Sequence, residues 1–230
     1  MSTVSGTWRG PNIVKDSSLV LYLDASAKNS YNDLVDAGTW KDMSGNNNNG
    51  TLVNEPTFSY NNNGYFIFNG TDETATVASL ELRRNFTLDG WFNPNVLSGF
   101  ALFGQGSPFP NGGLHILYRS STVIRFGMNA NDTDFTVSTS IGNWYNIVVT
   151  YNHSSPYTKQ LYINGVALSG NPQQTQAAYT GTGTFRLGAT YSSGGNYGNG
   201  FYAGMKVYNR ILSATEVAQN FNATRGRFGL

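Results

Sequence analysis

The sequence predicts an all-β protein, a two-sheet antiparallel sandwich with one C-terminal helix. Three observations lead there. The composition suits strands and turns, with 14 Tyr, 14 Phe and 27 Gly among 230 residues but only 12% charged residues. Such a chain is short of helix formers and rich in residues that fit a pleated surface. Apolar residues recur at every second position in more than ten short runs separated by turn signals, the pattern of strands with one buried face. A single segment near the C-terminus switches to helical spacing.

Taken in order, residues 1–17 are polar and carry Gly10-Pro11. They read as an extended N-terminal arm that orders only on docking to a neighbour, with Trp8, Arg9, Pro11 and Ile13 as its contact residues. The folded domain then spans 18–230, and no second domain or internal repeat is visible. Strand patterns begin at Leu19. The stretch SGNNNNGT at 44–51 is a compact polar turn, because Gly and Asn tolerate positive φ and Asn side chains bond nearby backbone.

Tyr65–Phe68, Phe86–Phe92 and Phe100–Phe103 read as further strands. In Gly113–Arg119 the residues Leu114, Ile116 and Tyr118 share a face, and in Thr122–Asn129 so do Thr122, Ile124, Phe126 and Met128; Ser120-Ser121 is the expected link. Trp144–Tyr151 is apolar on both faces and is expected to be a central strand. Asn164-Gly165 joins the next two runs as a type I′ hairpin turn. Phe185–Leu187 and Gly204–Tyr208 complete the strands. The helix is placed near 213–224, where Ser213 and Glu216 form a capping box ahead of Val217 and Phe221.

Bulk properties narrow the function. A formal charge of +1 argues against nucleic acid or an anionic membrane as the main partner. No apolar run approaches the ~20 residues that span a bilayer. With no cysteine there are no disulfides and no thiolate metal sites. The N-terminus has no basic start followed by an apolar run, so no secretory signal is expected. Yet the abundant Asn, Ser, Thr, Gly and Tyr suit an extracellular surface. A virion protein, made in the host cytoplasm and working outside after lysis, reconciles the two; a truncated or cytosolic protein is the plain alternative.

The ordered segments LVLYLDA (19–25), WKDMSGNNNNGTL (40–52), FIFNGTD (66–72), WYNIVVTY (144–151) with LYING (161–165), and VYNRILSATEV (207–217) resemble the laminin G-like, concanavalin A-like jelly-roll superfamily. The flanks RGPNIVKD (9–16) and NFNATRGRF (220–228) are similar to those of such domains in structural proteins of marine tailed bacteriophages. The resemblance implies a jelly-roll fold and a virion component. That component is a head-surface decoration protein with host-glycan adhesion or, alternatively, a tail-fibre receptor-binding lectin. Its implied partners are major capsid or tail proteins and symmetric copies of itself. It also raises calcium, but the acidic pair of many relatives is replaced here by Tyr202, Ala203 and Gly204. Asp72 and Glu73 are the remaining calcium candidates, against a reading as loop carboxylates that accept backbone amides.

Catalysis is not expected. Glycoside hydrolysis requires two carboxylates facing each other, and the four Glu show no such pattern; Asp132 and Asp134 read as turn acceptors. His115 and His153 lack a nucleophile elbow, no metal-ligand cluster or phosphate-cradling Gly motif appears, and no cofactor is assigned. Glycan binding suits the chemistry better, since sugars are held by aromatic faces and amides with little charge. The loop 191–202 has that composition, with Tyr191, Asn196, Tyr197, Asn199 and Tyr202 as candidate ligands and a Gly-rich hairpin tip as the alternative. A second candidate is the polar face bearing Asp89, Trp91, His115 and Arg125, in which Trp91 reads as core rather than ligand platform.

Overall fold

The computed structural model describes residues 11–36, 38–78, 80–168, 173–175, 177–190 and 195–230. Among them the strands are β1 (Leu19–Asp24), β2 (Thr39–Trp40), β3 (Gly50–Val53), β4 (Thr57–Ser59), β5 (Tyr65–Asn69) and β6 (Thr74–Val77). Next come β7 (Phe86–Pro94), β8 (Ala101–Gly106), β9 (Gly113–Ser120), β10 (Val123–Gly127), β11 (Thr133–Thr136) and β12 (Tyr145–Asn152). The last are β13 (Tyr157–Ile163), β14 (Val166–Ala167), β15 (Gln173–Thr175), β16 (Phe185–Leu187) and β17 (Asn199–Tyr208), followed by helix α1 (Ala214–Thr224).

They form two antiparallel sheets. The first runs β14-β13-β12-β7-β17-β5-β4, with β1 also on β17 and β15 on β13; the second runs β11-β10-β9-β8-β16-β6-β3-β2. Strand β17 organises the first sheet. One edge pairs with β7 along its length, while the other pairs first with β5 and then with β1. The changeover lies at Gly204, where a side chain would sit 2.7 Å from the Leu23 carbonyl. Only glycine fills this position without backbone shift.

The main core lies between the sheets and is aromatic, with Phe66, Phe68, Phe86, Phe92, Phe100, Phe103, Tyr118, Tyr151 and Tyr202 all fully buried. Each such side chain contributes about 1.5–3 kcal/mol through removal from water. The expected alternation holds: Leu114, Ile116 and Tyr118 of β9 and Ile124 and Phe126 of β10, with Met128 just beyond it, point into this core. Central strand β12 is buried on both sides, Ile147, Val149 and Tyr151 facing the sandwich and Val148 the opposite layer. Asn164 and Gly165 take the positive φ values, 51° and 79°, of a type I′ turn. The link between β9 and β10 is Ser121-Thr122 rather than Ser120-Ser121, because Ser120 already pairs with Val123.

Helix α1 covers the outer face of the first sheet. Ser213 and Glu216 form the predicted capping box. Leu212 and Val217 pack with Tyr22, Val148 and Tyr208. Ile13 and Val14 join this layer, 5% and 8% exposed. Val14 N donates to Asn220 Oδ1 at 2.8 Å, and the Tyr208 hydroxyl donates to Val14 O at 2.9 Å. This corrects the reading of 1–17 as one free arm. The pair Ile13-Val14 supplies apolar cover that the helix layer needs, so 11–17 pack on the domain and Ile13 is not a free docking residue. Pro11 is half-buried at the edge of this layer. Trp8 and Arg9 lie outside the described residues.

Candidate functional site

The predicted glycan loop does not form one face. Tyr191 lies outside the described residues. Asn196 is exposed, and its backbone N–H donates to Thr190 Oγ1 at 2.9 Å. Tyr197 is half-buried and bridges to Ala189. Asn199 begins β17, its side-chain oxygen accepting from Asn95 Nδ2 at 3.1 Å. Tyr202 is a correction. It is 0% exposed, its ring stacks on Phe68 at 4.3 Å, and its hydroxyl donates to Ala101 O at 2.6 Å. Of its described residues, 195–198 precede the strand and 199–202 belong to it, and composition alone cannot divide the two.

The second candidate also separates. Asp89 and Trp91 do share a face of β7, but it is the face buried under the helix. Asp89 is fully buried and accepts from Asn146, Lys206 and Asn220 at 2.8, 3.1 and 2.9 Å. Trp91 donates to Thr224 Oγ1 at 3.0 Å and stacks on Phe228 at 4.2 Å. His115 and Arg125 stand on the other sheet. There Arg125 holds Asp132 at 3.0 Å and Asp134 at 2.8 Å, and Arg119 adds a second bond to Asp134. Hydrogen bonding from His115 and the charge of Arg125 lower the Asp132 pKa, and Arg125 does the same for Asp134. Both carboxylates are thus held ionised, as acceptors, rather than set apart as acid and base.

Asp72 and Glu73 close a turn around Asn69. Asn69 Nδ2 donates to Asp72 Oδ1 at 3.0 Å and Asn69 N to Glu73 Oε2 at 2.8 Å. Among the described residues no group of three or more acidic, His or Cys side chains could hold a metal ion. The donor set here is that of a closed turn and does not fit a calcium cage, which takes six to eight oxygens.

A different place gathers binding chemistry. At the end of β1 the chain meets the β4–β5 connection and the C-terminal turn. Asp24 Oδ1 accepts from Ser26 N and Oγ and, at 2.8 Å, from Arg227 Nη1. Arg227, largely buried, also donates to the carbonyls of Asn62 and Gly64. Asn62 and Asn63 take left-handed φ of 48° and 63°, which Asn tolerates. The resulting open groove of about 480 Å³ is lined by Pro11, Asp24, Ser26, Asn63, Asn222, Thr224 and Arg227. It falls within the usual size range of small-ligand sites.

Ser26 and Asn63 also border a smaller cavity of about 110 Å³, whose walls include Tyr31, Phe58 and Tyr60 with Lys28, Asn32 and Asp33. These aromatics continue outward from the core. Trp40 meets Phe66 at 4.7 Å, Phe66 meets Tyr31 at 4.7 Å, Tyr31 meets Phe58 at 5.0 Å, and Phe58 meets Tyr60 at 5.1 Å. The last ring is 70% exposed, and its hydroxyl is tied to Asp33. Sequence reasoning missed this site. Its visible signal was Tyr60-Asn-Asn-Asn-Gly64, the same aromatic and amide composition that drew attention to 191–202.

A two-sheet jelly roll with an open polar groove on its rim and an aromatic-walled cavity beside it is a sandwich of the lectin type. The chain belongs to the Concanavalin A-like lectin/glucanases superfamily, whose model matches residues 68–218. Solved structures agree on the fold. Trypanosoma rangeli sialidase in complex with sialic acid aligns at 20% identity and a TM-score of 0.67 over 92% of this chain and 33% of that one. Domain 4 of AbnA, a GH43 extracellular arabinanase from Geobacillus stearothermophilus, in complex with arabinotriose, aligns at 15% identity and 0.64 over 88% and 98%. The botulinum neurotoxin type G receptor binding domain aligns at 15% identity and 0.65 over 90% and 51%. This chain thus spans about a third of the sialidase. No protein of curated function matches it in sequence. Among the described residues no helix is long and apolar enough to cross a membrane.

Proposed function

We propose that this chain is a non-catalytic, glycan-recognising surface module of a tailed-phage virion, carried on the head as a decoration protein. One observation supports recognition above all. The rim groove adjoins a cavity walled by an exposed, rigidly held aromatic ring and carries amides that are unpaired among the described residues, while its carboxylate, Asp24, is already bound by Arg227. A hydrolytic site would instead hold two facing carboxylates of different proton affinity. The virion assignment rests on the resemblance of 9–16 and 220–228 to phage structural proteins. Its partners in this reading are capsid or tail proteins, repeated copies of itself on the particle and host-surface glycan. It works without a cofactor.

Immunogold electron microscopy of purified particles from the source culture tests the assignment. Regular label over the heads is the expected result. Label confined to the tail tip favours the second reading, a receptor-binding lectin, for which the exposed Tyr60 is the supporting observation. Particles that carry no label contradict the virion reading altogether.

A further inference from the structure

We infer that the rim groove and its aromatic cavity form one saccharide site that takes neutral, uncharged oligosaccharides, with Tyr60 as stacking platform and Asn63 as the hydrogen-bonding hinge between the two parts. The inference rests on the glycan-recognition reading above and assigns that reading a place and a ligand class. All of these lining residues, Tyr60 and Asn63 included, lie outside the matched segment 68–218, so the site is built by this chain's own flanks.

The platform is pre-organised. Tyr60 is edge-packed on Phe58, which Tyr31 and Phe66 connect to the core, and its hydroxyl is fixed by Asp33. A ring held at both ends loses little freedom when a sugar's apolar CH face covers it. Asn63 borders both cavities, and among the described residues its side-chain amide makes no hydrogen bond. Asn222 lines the larger groove, and its side chain likewise has no hydrogen-bond partner among the described residues. Each amide offers two donors and an acceptor, which matches vicinal hydroxyls.

Charge decides the ligand class. Recognition of a carboxylated sugar calls for an uncommitted guanidinium fork or a comparable cation. The Arg227 fork is taken by Asp24 and by the carbonyls of Asn62 and Gly64. Lys28 shares its cavity with Asp33, so the two charges offset each other. A sialic or uronic acid would bring a negative charge into a site with no net attraction for it, whereas a neutral pyranose or furanose meets only ring faces and amides.

An oligosaccharide array carrying neutral, sialylated and uronic-acid glycans, probed with the full chain and three variants, tests this. The full chain should retain neutral glycans. Tyr60→Ala should weaken that binding by about tenfold, the loss of one stacking hot spot, and Asn63→Gly, which keeps the left-handed backbone while removing the amide, should weaken it measurably. Tyr197→Ala should leave it unchanged. Both groove substitutions fall on exposed side chains, and unchanged melting temperatures would show that the variants fold. Neutral binding untouched by Tyr60→Ala and Asn63→Gly would contradict the site while leaving glycan recognition standing. Retention of acidic glycans alone would contradict the ligand class. Failure to retain any glycan would overturn both the inference and the recognition reading on which it rests.

Discussion

At the scale of single residues, the polar groups buried in this molecule are structural fasteners. Asp89 is the clearest case. It takes hydrogen bonds from β12 through Asn146, from β17 through Lys206 and from helix α1 through Asn220. Asn220 in turn accepts from Val14. One carboxylate therefore registers helix, sheet and N-terminal segment against one another. Removing it leaves a buried ammonium without its partner, so Asp89→Ala should cost about 3–5 kcal/mol in urea denaturation. A loss below about 1 kcal/mol would show that the network carries little. The alternation of β7 already placed Asp89 and Trp91 on one face in the sequence. That this face lies under the helix depends on Asn220 and Lys206, more than a hundred residues away, and no local pattern reveals it.

The asparagine loop at 46–49 shows the same logic at the scale of elements. Its amides close the outer edge of β1. Asn46 Nδ2 donates to Leu19 O at 3.1 Å and Asn48 Nδ2 to Val20 O at 2.7 Å, while Asp42 accepts from Tyr22 N at 2.9 Å. An edge strand left bare is a template for unwanted pairing, and this loop blocks it without adding a strand. The turn character of the loop was legible from Gly and Asn alone; its target was not, because the bonds bridge nearly thirty residues. The helix cap extends into a similar device. Arg210 binds Glu216 at 2.6 Å and Asp16 at 2.7 Å, joining the helix start to the N-terminal segment.

Hydrogen bonds from Ser18 and Arg210 lower the Asp16 pKa from 3.8 to about 2, and Arg210 lowers that of Glu216 from 4.5 to about 2. Both folded-state values lie below the unfolded ones. The contribution is therefore complete above pH 4.5 and is lost as pH falls through about 2. The pairs lie at the surface, so the effect is modest and salt-sensitive. The amide resonance of Val14, followed by NMR from pH 5 to 1.5 at low salt, should shift with a midpoint near pH 2. Arg210→Ala should move that midpoint upward. A midpoint already near 4 in the unmodified chain would show that the pairs do not form.

At the scale of the whole molecule, the sequence carried the architecture further than the site. The period-two runs, the Asn164-Gly165 hairpin and the Ser213 capping box each have a local cause, and each stands where the residues put it. The rim site has none. Tyr31, Phe58 and Tyr60 meet only because β4 pairs with β5 and the 25–36 connection folds back over them, and Arg227 closes the groove from the far end of the chain. The 191–202 segment had the right composition, but burial divides its described residues 195–202, with Tyr202 drawn into the core. Recognition at the rim is thus the central claim, and chemical-shift mapping tests it most directly. The isotope-labelled full chain would be titrated with a neutral oligosaccharide retained on the array. Amide shifts confined to 24–33, 58–64 and 222–227 are predicted. Shifts centred on 195–199, or spread over the outer face of the second sheet around Arg125, would contradict it.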